Sequence, residues 1–418
     1  MKNDYIQNLE KWKSLVKNIN TLIVGIDVSK DKHDACFGTR DSIFIKKFAF
    51  QNSFNSFEDL NKKIKDLICE KKSSNVIIGL EPTGVYWRPI YDYLISKKFT
   101  ICLVDPLTVF HNRKTNHQDK GKSDKKDAAA ILDLIGQSKF HFAVNGTKRH
   151  FYQRITLRCW KNAQKTLIQY KNRTSSNLSL FFPEFEKLVS DISSTKSRNF
   201  LLMFPTKKSI TSLTEKEFIK KSKAELKRFS IENLKELYDA AKNSIGININ
   251  EKEERVFMLN SIEQLSSAIE NDNIWFNRCH DLVKNDLEYL KLRKIKGLGP
   301  KIVTGILLSI GDYDAFSNAK QITKLAGLNL IDKTSGSSVN CPAHISHHGN
   351  YELRYWAFSG AMQVIKYNVN FKKFYERKTK GKKGNGIRKK GLIAVSDKLL
   401  RTIWAILHKG EEYNPIHK

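Results

Sequence analysis

An α/β domain followed by a longer, mainly helical remainder is the fold class that this sequence predicts, and three observations predict it. Residues 21–145 alternate β-branched apolar runs with amphipathic stretches. From about residue 146 the strand signal fades and apolar residues recur at three- and four-residue spacing. The third observation is bulk. A chain of 418 residues that is 40% hydrophobic and 11% aromatic can fill several cores and is not disordered.

Residues 1–20 read as a short polar helical leader. Thr21–Val28 is a nearly continuous apolar run, as a strand buried on both faces requires. His33–Phe37 and Ile43–Phe50 follow closely enough for an antiparallel meander. Phe54, Phe57, Leu60, Ile64, Leu67 and Ile68 then line one face of a helix. Val76–Leu80 reads as strand, Trp87–Leu94 as helix, Thr100–Val104 as strand and Asp124–Ile135 as helix. The order β-β-β-α-β-α-β-α is that of the ribonuclease-H-like fold, and residues 21–145 are assigned to it.

Residues 146–290 form the helical middle. Met258, Ile262, Leu265, Ile269, Asp272, Phe276, Cys279 and Val283 make a heptad-like seam, with Asp272 spoiling one position. The seam is either a coiled coil that joins subunits or a long amphipathic helix packed on its own domain. Residues 291–418 form a third, mainly α-helical region. It opens with Ile295–Lys301 between two helical stretches and passes through a Ser/Gly-rich loop at 334–338. Lys372–Lys390 reads as a flexible, phosphate-facing basic loop.

Charge narrows the function. Lysine and arginine number 73 against 43 aspartates and glutamates, a net charge of +30 and a pI near 9.7. AT-rich coding accounts for lysine in place of arginine but not for that surplus, which favours a polyanionic partner, nucleic acid first. Cysteines at 36, 69, 102, 159, 279 and 341 form no C-x-x-C pair, so neither a zinc ribbon nor a disulfide framework fits. No apolar run reaches the ~20 residues of a membrane span, and Met1–Gln7 has no signal-peptide pattern. A soluble, cytoplasmic protein is the expectation.

The acids narrow it further. Asp27 lies toward the end of the most buried strand, where a carboxylate needs a partner or a metal. Glu81 follows the fourth strand, and Asp124 and Asp127 share one helix face. In a ribonuclease-H-like sheet these three elements meet. Four carboxylates suit Mg²⁺, in a two-ion site with the ions about 3.5–4 Å apart. The plainer reading of Asp124 and Asp127 is as first-turn acids that complement a helix dipole.

Three blocks carry a resemblance: Ile23–Lys30, Glu81–Tyr86 and Lys122–Ala129. They resemble the acidic blocks of the bacterial insertion-sequence transposase family numbered one hundred and ten. The likeness extends over Phe182–Phe185 and the C-terminal third, but not over residues 200–250. It implies a RuvC-like DEDD domain holding Mg²⁺ at Asp27, Glu81, Asp124 and Asp127. It also implies a structured bridge RNA that guides donor and target DNA, and homodimers that assemble into tetramers. The enzyme would work in the bacterial cytoplasm, on the nucleoid when active.

Gly327–Gly336, His344–Asn350 and Leu353–Arg354 resemble the family's C-terminal transposase domain, so Ser335 takes the place of its nucleophilic serine. Lys333 and Arg354 are then candidates for binding the phosphate. Two departures stand out: His347 replaces the usual lysine, and Ser337–Ser338 replace Gly-Lys. Without the resemblance, Thr334–Ser338 would read as a flexible loop. Lys296-Gly297-Leu298-Gly299-Pro300-Lys301 resembles a helix–hairpin–helix turn, in which Lys296, Gly297, Gly299 and Lys301 would meet DNA, or else an ordinary Gly-rich connection. The reading is a DNA transposase that forms a serine–DNA link. Its rivals are a metal-dependent junction resolvase or nuclease and a non-catalytic nucleic-acid-binding protein.

Overall fold

The computed structural model describes residues 13–18, 20–82, 84–116, 124–142, 148–189, 191–226, 229–313, 316–335, 339–381, 384, 386–410 and 412–413. Side chains at 113–116, 124–126, 141–142, 148–151, 332–335, 339–343 and 409 lie outside that description. The chain divides into two compact units, Met1–Thr147 and Lys148–Lys418.

The first unit is built on a sheet of β1 (Thr21–Asp27), β2 (Lys32–Gly38), β3 (Ile43–Gln51), β4 (Asn75–Leu80), β5 (Thr100–Leu103) and β6 (His141–Phe142). Their spatial order is β3-β2-β1-β4-β5-β6. Strands β1, β2 and β3 are antiparallel, β4 and β5 continue parallel to β1, and β6 closes the edge antiparallel. The helices are α1 (Phe54–Glu70), α2 (Trp87–Ser96), α3 (Pro106–Asn116) and α4 (Asp124–Gly136).

Period-two alternation sorts the core between the two faces of this sheet. Leu22, Val24, Ile26, Ala35, Phe37, Ile78 and Leu80 pack with α1 and α2. Ile23, Cys36, Ile77 and Cys102 pack instead with Ala128, Ile131, Leu132 and Ile135 of α4. Helices on both faces explain why β1 and β4 read as continuous apolar runs. Helix α3 went unassigned in the sequence although its start is marked. Asp105 Oδ2 accepts from the Thr108 N–H at 3.0 Å, and Pro106 sets the first turn.

In the second unit, α5 (Lys148–Phe181) and α11 (Glu251–Asp281) pack against each other and reach into two cores. One core is the lobe of α6 (Phe185–Leu188), α7 (Thr195–Met203), α8 (Lys207–Thr211), α9 (Glu215–Glu225) and α10 (Ile231–Lys242). It is filled by Phe185, Phe200, Phe204, Phe218 and Phe229 together with Leu178, Met258 and Ile262. The other gathers α12 (Leu287–Arg293), α13 (Pro300–Ile310), α14 (Ala319–Leu325), α15 (Tyr351–Tyr367), α16 (Val369–Thr379) and α17 (Ile387–Lys409) around Trp160, Cys279 and Val283. A hairpin of β7 (Leu330–Ser335) and β8 (Val339–Ile345) lies between α14 and α15 in the chain.

One open expectation is decided here, and another changes. The heptad-like seam is occupied within the chain: Met258 and Ile262 enter one core, and Cys279 and Val283 the other. Asp272 is not a flaw in it, because its carboxylate accepts from Trp160 Nε1 at 3.0 Å and pairs with Lys301 Nζ at 2.8 Å. Lys372–Lys390 is not a loop for most of its length. Phe371, Phe374 and Tyr375 give α16 an apolar stripe that docks on the core, and α17 begins again at Ile387. Among the described residues no helix is long and apolar enough to cross a membrane.

Candidate active site

Asp27 is the last residue of β1 and is half-buried. The parallel β1–β4 ladder pairs Ile26 with Leu80, which brings Glu81, one residue on, to the same edge of the sheet. Alternation carries Asp27 and Glu81 to the α4 face, the one shared by Ile23 and Ile77. Two glycines on one rung, Gly25 and Gly79, seat α4 there. A Cβ on Gly25 would run into Ala128 O and come within 2.6 Å of Leu132 N, and one on Gly79 would strike Ile135. Helix α4 therefore packs directly on the sheet at the rung two residues before the acids. Asp127 precedes Ala128, and Asp124 is the first residue of the helix, its side chain outside the described residues.

The ladder thus places Asp27 and Glu81 at neighbouring strand ends, and α4, seated on Gly25, begins at Asp124 and carries Asp127 just before the Ala128 contact. Their carboxylate oxygens are of the kind that a hard divalent cation prefers. Among the described residues, no three acidic, histidine or cysteine side chains converge closely enough to enclose an ion. Neighbouring groups are inert. Burial pushes the Cys36 thiol up to about 11 and that of Cys102 higher still, so neither offers a thiolate. His33, on the opposite face between the Phe50 and Phe57 rings, is held below the usual histidine range by burial.

Sequence reasoning passed over one acid at this edge. Asp34 of β2 stands directly across from Asp27. The predicted meander already contained the signal, a lone acid in an apolar strand just past a tight turn.

The serine lies in the second unit. Ser335 ends β7 opposite Val339, and Lys333 pairs in register with Cys341; both side chains, and all of Gly336–Ser338, lie outside the described residues. The base of the hairpin is well braced. Ser346 Oγ bonds Asn329 Oδ1 at 2.7 Å, the Ser346 N–H donates to Asn329 O, and Asn350 ties α15 to Ser309 O at 2.9 Å. Arg354 joins this brace, donating from Nη1 to Ala326 O at 2.7 Å. His347 is exposed and adopts a left-handed conformation, φ 56°.

The Lys296–Lys301 turn joins α12 to α13 and borders an open pocket of about 530 Å³. Its residues divide. Gly297, at φ 100°, lies so close to α15 that a Cβ would meet Gln363 O and Val364 Cα at 2.9 Å, so its role is packing. Lys301 pairs with Asp272 at 2.8 Å. Lys296 and Gly299 remain open to a partner: Gly299 caps α13 without a side-chain bond, and a Cβ there would meet nothing within 4 Å.

Comparison with known proteins defines the class. A DEDD-type family model described as a transposase matches residues 24–183, and a second, for the transposase IS116/IS110/IS902 family, matches residues 289–376. The four acids fall within the first and Ser335 within the second. The chain is similar to the pilin gene-inverting proteins of Moraxella lacunata, 24% identical over 397 residues, and of Moraxella bovis, 23% identical over 395; each alignment covers 94% of this chain and 97% of the relative. A putative transposase, y4rJ of Sinorhizobium fredii, is 31% identical over 121 residues, 28% of this chain and 30% of its own. These matches mark an enzyme of DNA recombination, a transposase. The chain belongs to the IS110 family. Residues 184–288, most of the phenylalanine-filled lobe and α11, lie between the two family matches.

Proposed function

We propose that the first unit is a ribonuclease-H-like DEDD domain whose acidic edge holds Mg²⁺, and that Ser335 forms a covalent link to DNA during strand exchange. The observation that carries this reading is the paired exit of Asp27 and Glu81 at one sheet edge, with the acidic first turn of α4 seated beside them by Gly25. Bound there, a divalent ion would supply positive charge to a phosphodiester undergoing substitution. Asp27, Glu81, Asp124 and Asp127 would hold it.

In the serine step, Ser335 Oγ attacks phosphorus and gives up its proton. The P–O bond to the leaving strand breaks, and the departing oxygen takes a proton. One phosphodiester is exchanged for another, so a DNA hydroxyl can reverse the step without an energy source. The braced hairpin base supports the reading, since a nucleophile needs a fixed platform. Arg354 then acts chiefly by holding that base, and Lys333 is the candidate phosphate contact on β7.

DNA inversion, which the names of the Moraxella relatives describe, needs the same cutting and rejoining that transposition does. The net charge of +30 supports donor and target DNA and a structured guide RNA as partners. The reading includes a homodimer that pairs into a tetramer, and work in the bacterial cytoplasm on the nucleoid. Turn residues Lys296 and Gly299 are proposed to meet the DNA backbone.

The test is denaturing electrophoresis of the protein after incubation with Mg²⁺, guide RNA and labelled nicked DNA. A covalent protein–DNA adduct should form, vanish in Ser335→Ala and persist in Ser337→Ala and Ser338→Ala. Asp27→Ala should abolish it while DNA binding survives. Cutting without an adduct would instead identify a hydrolytic resolvase.

A further inference from the structure

The acidic edge carries a fifth carboxylate. Asp34 pairs with Asp27 across the antiparallel β1–β2 ladder, and directly opposed residues leave a sheet on the same face with Cβ atoms about 4.5–5.5 Å apart. That face is the one covered by α4. Cys36, two residues along β2, packs there, whereas Ala35 and Phe37 pack on the other side. Asp34 is only 7% exposed. Its Oδ2 lies 3.4 Å from Lys47 Nζ on β3, long for a charge-assisted hydrogen bond. Its Oδ1 is buried with no hydrogen-bond partner.

A buried carboxylate oxygen without a donor is costly. The cost rises when the residue across the ladder is another acid, since like charges directly opposed repel. One long contact to Lys47 offsets little of this. A cation at the acidic edge would answer both problems at once. Hard divalent ions take oxygen ligands and keep several waters, so a carboxylate beside a ligand has either the ion or one of its waters to bind.

We propose that Asp34 belongs to the divalent-cation site, binding the ion through Oδ1 directly or by way of an ion-bound water. This rests on the reading that Asp27 and its partners hold such an ion. Lys47 then competes with the ion for Asp34, and its removal favours binding.

The test is calorimetric titration of Mn²⁺ into the full-length chain, without DNA, for wild type, Asp34→Asn, Lys47→Gln, Asp27→Asn and Asp41→Asn, the last an exposed acid in the β2–β3 turn. Asp34→Asn should weaken binding about tenfold or more, the range for groups that support a metal site. Lys47→Gln should bind more tightly than wild type, and Asp41→Asn should match wild type. If Asp27→Asn loses binding while Asp34→Asn stays within about twofold of wild type, this inference falls and the acidic site stands. If Asp27→Asn also binds like wild type, the metal reading falls and takes this inference with it. A Lys47→Gln loss equal to that of Asp34→Asn overturns it too, because the ion pair would then be what matters. Should Asp34→Asn not fold, Lys47→Gln decides alone: tighter binding supports the proposal, and unchanged or weaker binding overturns it.

Discussion

At the acidic edge, the space beside Gly25 and Gly79 is filled by α4; at the turn before α13, the space beside Gly299 is open to 4 Å. Both sets of glycines flank residues assigned to chemistry or DNA contact, yet Gly299 serves the opposite end from Gly25 and Gly79. Gly25 and Gly79 let a helix press onto a sheet so that acids on separate elements are held together. In the turn, Gly297 does similar work against α15, but Gly299 leaves a helix start exposed. Carboxylates proposed to bind a metal must be held in place before it arrives. A backbone-contacting turn needs only room for a phosphate.

The largest expected effect comes from filling the first of these spaces. Gly25→Val places a branched side chain where the Ala128 and Leu132 backbone of α4 lies, and backbone cannot swing aside as a side chain can. Overpacking of this kind costs about 3 kcal/mol or more, and strand cleavage should be lost with the seat of α4. Urea unfolding and the nicked-DNA assay measure the two effects. Gly79→Ala should cost less, because it meets the flexible Ile135 side chain. Equal stability of Gly25→Val and wild type would break the comparison.

Next in size is Lys301→Ala. Asp272 is 4% exposed and holds Trp160 and Lys301 together. Removing one partner of a buried pair costs about 3–5 kcal/mol, but Lys301 is half exposed and solvent screens it, so about 2 kcal/mol is expected. Because its ammonium is engaged, the salt dependence of DNA binding should hardly change. Lys296→Ala should do the reverse, keeping stability and lowering the salt slope by about one. A full drop in slope for Lys301→Ala would return that lysine to the DNA interface.

Much of the first unit was legible because each strand and helix carries its own periodic signal. Asp27 and Glu81 stood out as acids at the ends of apolar runs. Asp34 did not, since only the ladder register sets it against Asp27. The second unit hid more. Lysines mask the Phe371–Tyr375 stripe of α16, and the partner that engages Lys301 lies on α11, reached by tertiary packing alone. Asp272 registered as a spoiled heptad position, which was the visible trace of that ion pair. Nothing local distinguishes Ser335 from its neighbours; family resemblance alone singled it out.

A second buried carboxylate sharpens the contrast between the units. Glu254, in the first turn of α11, is 5% exposed and, like Asp34, has one oxygen without a hydrogen-bond partner. Its surroundings differ: it accepts from the Lys207 backbone N–H, with Glu251 nearby. The Lys207 ammonium is itself taken by Gly246 O at 2.7 Å and Asn248 Oδ1 at 3.2 Å, and Glu251 pairs with Lys208 at 3.3 Å. Burial raises the Glu254 carboxyl above its ordinary range, and the Lys207 charge opposes this only in part. The unfolded chain therefore releases this proton first, near pH 4.5, while the folded chain retains it to higher pH. Below that window the group favours folding; as pH rises through it the advantage is lost, and at pH 7 a buried charge remains as a cost. Glu254→Gln should thus be more stable than wild type at pH 7, with the gain vanishing below about pH 4.5. Urea unfolding from pH 4 to 7.5 reads this directly, and Mn²⁺ affinity should not move. A variant less stable than wild type at pH 7 would mean that Glu254 serves as a needed acceptor for the Lys207 backbone, and that burial is not its dominant influence.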